Sequence, residues 1–190
     1  MTGTDLPHGH GRTLGDTDRT FSEDDGAADP AVRDALAAAE GGDTRAYLDA
    51  VVELCGSRLL VPIMASGDHL DATGPEPDRH AEMAAVLLQR PDGEKAMVAF
   101  TGVDAMSAWQ KEARPIPATL DKVCEAAVQS GANTVLIDLQ GPHPFVIADE
   151  INQQLAHSRR LVKTTDGGYG WWQANPSEAG QPAGDEPSAE

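Results

Sequence analysis

Two cysteines, six histidines and three tryptophans carry most of the reactive or anchoring potential of this 190-residue sequence. A thiol becomes a nucleophile where water reaches it and a cation or helix N-terminus lowers its pKa. Cys124 instead falls inside a helix-spaced apolar run with Leu120, Val123, Ala127 and Val128, which makes it a core residue. Cys55 ends a similar run after Leu48, Val51 and Val52, where the helix carbonyls raise a thiol pKa rather than lower it. The pair forms neither a disulfide framework nor a metal motif.

The densest group of possible cation ligands is Asp68, His69, Asp71, Glu76, Asp78 and His80, within the polar stretch from Ala65 to His80. Carboxylates and imidazoles hold divalent cations, but this spacing matches no EF-hand loop and no His-x-x-x-His helix. His8 and His10 sit in an acidic, polar run where chelation carries a large ordering cost. Asp166-Gly167-Gly168 lacks the Lys-Ser/Thr ending of a phosphate loop. His143, between Pro142 and Pro144, has no carboxylate or nucleophile close in sequence. With no nucleophile elbow either, no catalytic, cofactor-binding or metal-ligating residue is assigned.

Trp171 and Trp172 stand apart from these. Adjacent strand residues face opposite sides of a sheet, so one packing contact cannot bury both. The hairpin's aromatics are expected to cap the core; the alternative is that one tryptophan stays exposed and anchors a partner, as tryptophan often does, and the two are the candidate interaction residues. Trp109, on a short amphipathic run, reads as core.

The elements that must position these residues follow from periodicity and punctuation. Asp29-Pro30 opens a helix through Glu40 bearing Val32, Leu36 and Ala39, and Asp43 caps a second that Gly56 ends. Arg58 to Ile63 reads as a buried strand. Met83 to Gln89 and Lys95 to Phe100 form a hairpin around Pro91-Asp92-Gly93. Thr101 with Asp104 resembles a capping box for a short helix, and Pro117 to Ser130 is the clearest helix. Thr134 to Leu139 is a strand, Phe145 to Ala148 its return, and Asp149 caps a last helix. Leu161 to Trp172 closes the fold as a hairpin on the two-residue turn Asp166-Gly167. Hairpins outnumber crossovers, so the class is α+β: a mixed, mainly antiparallel sheet of about five to seven strands with helices packed on it, in one domain. The long 65–80 loop is expected to be mobile or functional.

The formal net charge is −17, and residues 1–29 and 173–190 are acidic and poor in large apolar side chains. Both are expected to be disordered tails around a domain spanning 30–172. The charge argues against a duplex nucleic-acid binder, since Arg159, Arg160 and Lys163 make only a small basic patch. No run reaches the ~18 apolar residues of a membrane span, and the acidic N-terminus does not read as a secretory signal. The expected location is the cytoplasm.

Ala46 to Ile63, Met83 to Ala108 and Thr134 to Ile151 together resemble the N-terminal domain of the SseB family, named for enhanced serine sensitivity. The marks are Val61-Pro62, the run Phe100-Thr101-Gly102-Val103-Asp104-Ala105-Met106, the helix from Thr119 to Gly131, and Val135-Leu136-Ile137-Asp138 with Phe145 and Glu150-Ile151. The family run usually reads Phe-Thr-Ser, where this chain has Gly102 in place of the serine. The resemblance implies no catalytic residue and no cofactor. With the residue reading, it favours a non-enzymatic interaction or regulatory protein with an unknown protein partner. The alternative is a binder of an amino acid or thiol metabolite, or an enzyme linked to serine metabolism, using a cleft by the 65–80 loop.

Overall fold

A computed structural model describes residue 21, residues 24–64 and residues 84–173. The 65–80 stretch with its acids and histidines, His8, His10 and most of both acidic termini lie outside the described residues. Helix α1 (Pro30–Ala39) begins where the Asp29 side chain accepts the Ala31 N–H, and buries Val32 and Leu36. Helix α2 (Thr44–Gly56) begins on Asp43 in the same way and buries Ala50, Val51 and Leu54. Between them Gly42 adopts φ +74°, a left-handed conformation natural to glycine.

Strand β1 (Arg58–Met64) buries Leu59 through Ile63 without interruption. It pairs antiparallel with the two-residue β2 (Ala84–Ala85), after which the chain continues into β3 (Leu87–Gln89), antiparallel to β4 (Lys95–Ala99). Alternate residues of β4 and the residue after it enter different cores. Met97 and Ala99 join the larger cluster, Val98 and Phe100 the smaller one. This two-sided burial is why the run reads as continuously apolar.

Helix α3 (Val103–Trp109) starts on Gly102 without a side-chain cap. The expected capping box is absent because both of its side chains are engaged elsewhere: Thr101 with Asp138 and Asp104 with Arg33. Next comes β5 (Arg114–Thr119), a strand within a stretch whose prolines and helical spacing suggested otherwise. It pairs with β1 so that Pro117 faces Leu60 and Pro115 faces Pro62. Leu60 exchanges both backbone bonds with Phe100, and the Pro62 carbonyl accepts the Val86 N–H. These β1 residues therefore point their backbone away from β5, and their partners Pro115 and Pro117 need no ladder donor. Helix α4 (Leu120–Gln129) thus begins three residues later than the sequence suggested, and buries Leu120, Val123, Cys124 and Ala127.

Strand β6 (Thr134–Ile137) runs parallel to β4 and antiparallel to β7 (Phe145–Ile147). It ends before Asp138, whose φ of 52° turns the chain out of the strand. Helix α5 (Asp149–Ala156) leads to β8 (Arg159–Lys163) and β9 (Tyr169–Gln173). Their connection differs from the expected two-residue turn. The Thr164 N–H reaches the Gly168 carbonyl and Gly167 takes φ +82°, closing a three-residue loop.

The class is α+β. Among the described residues the strands form ladders β2-β1-β5, β3-β4-β6-β7 and β8-β9, of which only β4–β6 is parallel. An antiparallel bridge between Leu60 and Phe100 joins the first two ladders. No helix of the described residues is long and apolar enough to cross a membrane.

Candidate functional site

Cys124 is fully buried, and burial pushes its thiol far above the ordinary range. Cys55 is half-buried and is raised chiefly by burial as well. Neither thiol has the lowered pKa of a reactive nucleophile. Trp109 packs at a tilt on Phe100, 5.5 Å between ring centroids, partly buried at the edge of the smaller core. His143 finds the partner its own neighbourhood lacks: its Nδ1 lies 2.8 Å from Glu40 Oε1, at the surface.

A polar knot that local motifs do not announce lies where β4 and β6 end. Asp138, buried at the end of β6, accepts the Thr101 N–H on Oδ1 at 2.8 Å and the Thr101 hydroxyl on Oδ2 at 2.6 Å. Burial raises its pKa, and the bonds from Thr101 oppose that rise. From α1, the Arg33 Nε donates to Thr101 Oγ1 at 2.8 Å, while its two terminal nitrogens grip Asp104. From β1, Arg58 donates to the Thr101 carbonyl, to the Ala27 carbonyl at 2.6 Å and to Asp24. Asp24–Asp29, read from sequence as part of the tail, are thereby strapped to the domain, and the Gly26 carbonyl takes the Val103 N–H at 2.9 Å. Every polar group of Thr101 is engaged, so the knot joins α1, β1, α3 and β6 and leaves Thr101 no free group to offer a ligand. The sequence signal available for it was an acid closing an otherwise apolar strand run, Asp138 after Thr134-Val135-Leu136-Ile137.

The β8–β9 hairpin presents a different surface. Trp171 is 40% exposed and Trp172 52%. The expectation that the hairpin's aromatics cap the core is not met by either tryptophan; β9 has β8 on one side and no further strand on the other among the described residues. Trp171 lies opposite Leu161, which is buried in the core, so Trp171 sits at the rim of the inner face. Trp172 lies opposite Arg160 on the outer face. The hairpin is held against α2 by Tyr169, whose hydroxyl donates to Asp49 Oδ1 at 2.6 Å, and by Lys163, which pairs with the same carboxylate at 2.9 Å.

Two shallow grooves lie elsewhere on the described residues. One of about 410 Å³ runs between α1 and α2 over Ala31, Ala35 and Ala38, with Asp34, Glu53 and Lys163 at its rim. The other, of about 350 Å³, lies between the 24–26 strap and Pro115 and Pro117. Among the described residues no group of three or more histidine, cysteine or carboxylate side chains is placed to hold a metal ion.

The family model described as the SseB protein N-terminal domain matches residues 32–167. No curated protein and no solved structure matches the chain.

Proposed function

The chain belongs to the SseB family, and from that premise we propose that it is a protein-binding module, performing no reaction of its own, that docks its partner on the Trp171–Trp172 strand. The observation that carries this reading is the exposure of two adjacent tryptophans on a strand with one open edge among the described residues. Leaving that much aromatic surface in water forgoes burial worth about 25 cal/mol per Å², and aromatic anchors of this kind dominate binding energy at protein interfaces. The engagement of the other chemically versatile groups in packing supports it: Cys124 in the core, Thr101 and Asp138 on each other, Trp109 on Phe100.

The test is affinity capture from cell extract with the wild-type chain, Trp171→Ala, Trp172→Ala and, as a control on a distant helix, Lys122→Ala. The reading expects the partner to be recovered by wild type and Lys122→Ala and lost from both tryptophan variants. Equal recovery by all four overturns it.

A further inference from the structure

The hairpin's hydrogen-bond register says how a partner would be received. The Thr164 N–H bonds the Gly168 carbonyl, and the pairing continues without a break through Lys163–Tyr169 to Arg159–Gln173. Because bonded and non-bonded pairs alternate in an antiparallel ladder, Gly170 and Trp172 turn their backbone toward β8. Tyr169, Trp171 and Gln173 turn theirs outward. Among the described residues no backbone hydrogen bond outside the ladder engages these three. The open edge therefore offers three N–H and three C=O groups at the two-residue spacing another strand requires. It lacks the proline, lysine or bulge with which edge strands are usually protected.

Charge at this edge runs against that of the molecule. The chain carries a formal −17, yet the strand beside β9 contributes Arg159 and Arg160, both exposed. Arg160 has no ion pair among the described residues, and Arg159 donates only to the neutral amide of Gln154. Lys163 is already matched by Asp49. On the outer face of β9 Gly170 precedes Trp172 at the two-residue interval, with the Thr164 methyl beside Gly170. Arg160 shares this outer face with Trp172, its cross-strand neighbour, two strand spacings or about 10 Å from where a third strand would lie.

We propose that the outer edge of β9 receives an extended acidic segment of a partner protein as a third strand. Its backbone pairs with Tyr169, Trp171 and Gln173, its inner-face side chains lie against Trp171, and its outer-face carboxylates lie by Trp172 and meet Arg160. Strand addition takes affinity from main-chain bonds and specificity from alternate side chains. A two-stranded ladder is itself marginal until a third strand or a helix supports it. This proposal rests on the docking reading above and adds the chemistry and geometry of the partner.

The experiment titrates the whole chain with capped peptides of alternating glutamate and valine, or lysine and valine, reading tryptophan emission and backbone amide shifts. The glutamate peptide is expected to saturate, to shift amides within 169–173, and to bind about tenfold tighter than the lysine peptide, a difference of about 1.4 kcal/mol. Arg160→Glu is expected to abolish that preference. Gln173→Pro removes one outward donor and no ladder bond, in the way Pro115 and Pro117 are accommodated on β5, together with the exposed side-chain bond to the His157 carbonyl, and is expected to weaken binding about tenfold with little change in melting temperature. Equal binding of both peptides, or full binding by Gln173→Pro, overturns the proposal. So does a dimer in sedimentation that Gln173→Pro dissociates, because the edge is then taken by a second copy. If the peptide tests fail while Trp171→Ala and Trp172→Ala still lose the captured partner, strand addition falls and the docking surface stands. If those variants capture normally, the docking reading itself falls.

Discussion

Arg33 on α1 and Asp104 on α3, 71 residues apart, meet in a two-pronged ion pair of 2.8 and 3.0 Å. The same guanidinium reaches past Asp104 to the Thr101 hydroxyl and lies 3.6 Å from the buried Asp138. Thus the run Phe100–Met106, which carries much of the resemblance to the family, is tied at its second residue to three other elements. The knot explains why a threonine is needed there. Its N–H and hydroxyl both serve Asp138, and its oxygen still accepts from Arg33.

Removing the carboxylate strands two buried donors. Asp138→Ala is expected to cost about 2–4 kcal/mol, since each orphaned buried group costs about 1–3 kcal/mol. Asp138→Asn retains an acceptor for the Thr101 N–H and a residue tolerant of positive φ, so it should cost less. Urea unfolding of the two variants checks the order; equal costs would mean that the lost hydrogen bonds do not set the penalty.

Gly102 marks where this chain departs from the usual Phe-Thr-Ser, and the reason is steric. A Cβ there would lie 2.8 Å from the Ala28 nitrogen and 2.6 Å from Asp104 Oδ1. The strap from Asp24 to Asp29 occupies the space a serine side chain would take. Gly102→Ser is therefore expected to loosen the strap and cost about 1–3 kcal/mol, as overpacking does. Faster amide exchange at Val103, whose N–H bonds the Gly26 carbonyl, is the local readout, and unchanged exchange there would contradict it.

Acid should act on the straps. Arg33 holds the Asp104 carboxyl below its usual value, and Arg58 does the same for Asp24. For a depressed acid the folded state takes up the proton less readily than the unfolded chain. Its stabilisation is complete above the unfolded pKa, near 3.8, and is lost as pH falls below that toward the lower folded value. Asp138 runs the other way: burial raises its pKa, so its ionisation above 3.8 subtracts stability. Asp104→Asn should flatten the decline of stability below about pH 4 and cost less than about 1 kcal/mol at neutrality, the exposed pair being screened. Equal acid slopes for variant and wild type would refute the assignment.

Cys124 should be silent to thiol reagents in the native protein, because burial both hides it and suppresses its thiolate. Alkylation followed by mass spectrometry should label it only as fast as the domain opens, whereas half-buried Cys55 labels sooner. Rapid native labelling of Cys124 would reverse the reading of the α4 stripe.

The starts of α1 and α2 and the buried stripe of α4 were legible because their signals are local: Asp29-Pro30, Asp43 and the Leu120–Ala127 spacing; Asp149, expected to cap α5, is instead its first residue after an Ala148 cap. Strand β5 was hidden because proline normally forbids a ladder. Only the register against Leu60 and Pro62 shows that Pro115 and Pro117 fall where no donor is needed. The knot was hidden for a similar reason. Asp138 lies 37 residues from Thr101, and Arg33 is 68 residues away from it on the other side, so no window of sequence contains the set. The tryptophan pair was visible from strand alternation, but the exposure of both depends on the open edge of β9, which is a property of topology.

The most direct measurement is hydrogen exchange on the chain alone and in complex with its captured partner. The account predicts that protection on binding centres on the amides of Tyr169, Trp171 and Gln173, with little change in the α1–α2 groove around Asp34 and Glu53. Protection of that groove with β9 left as open as in the free chain would contradict it.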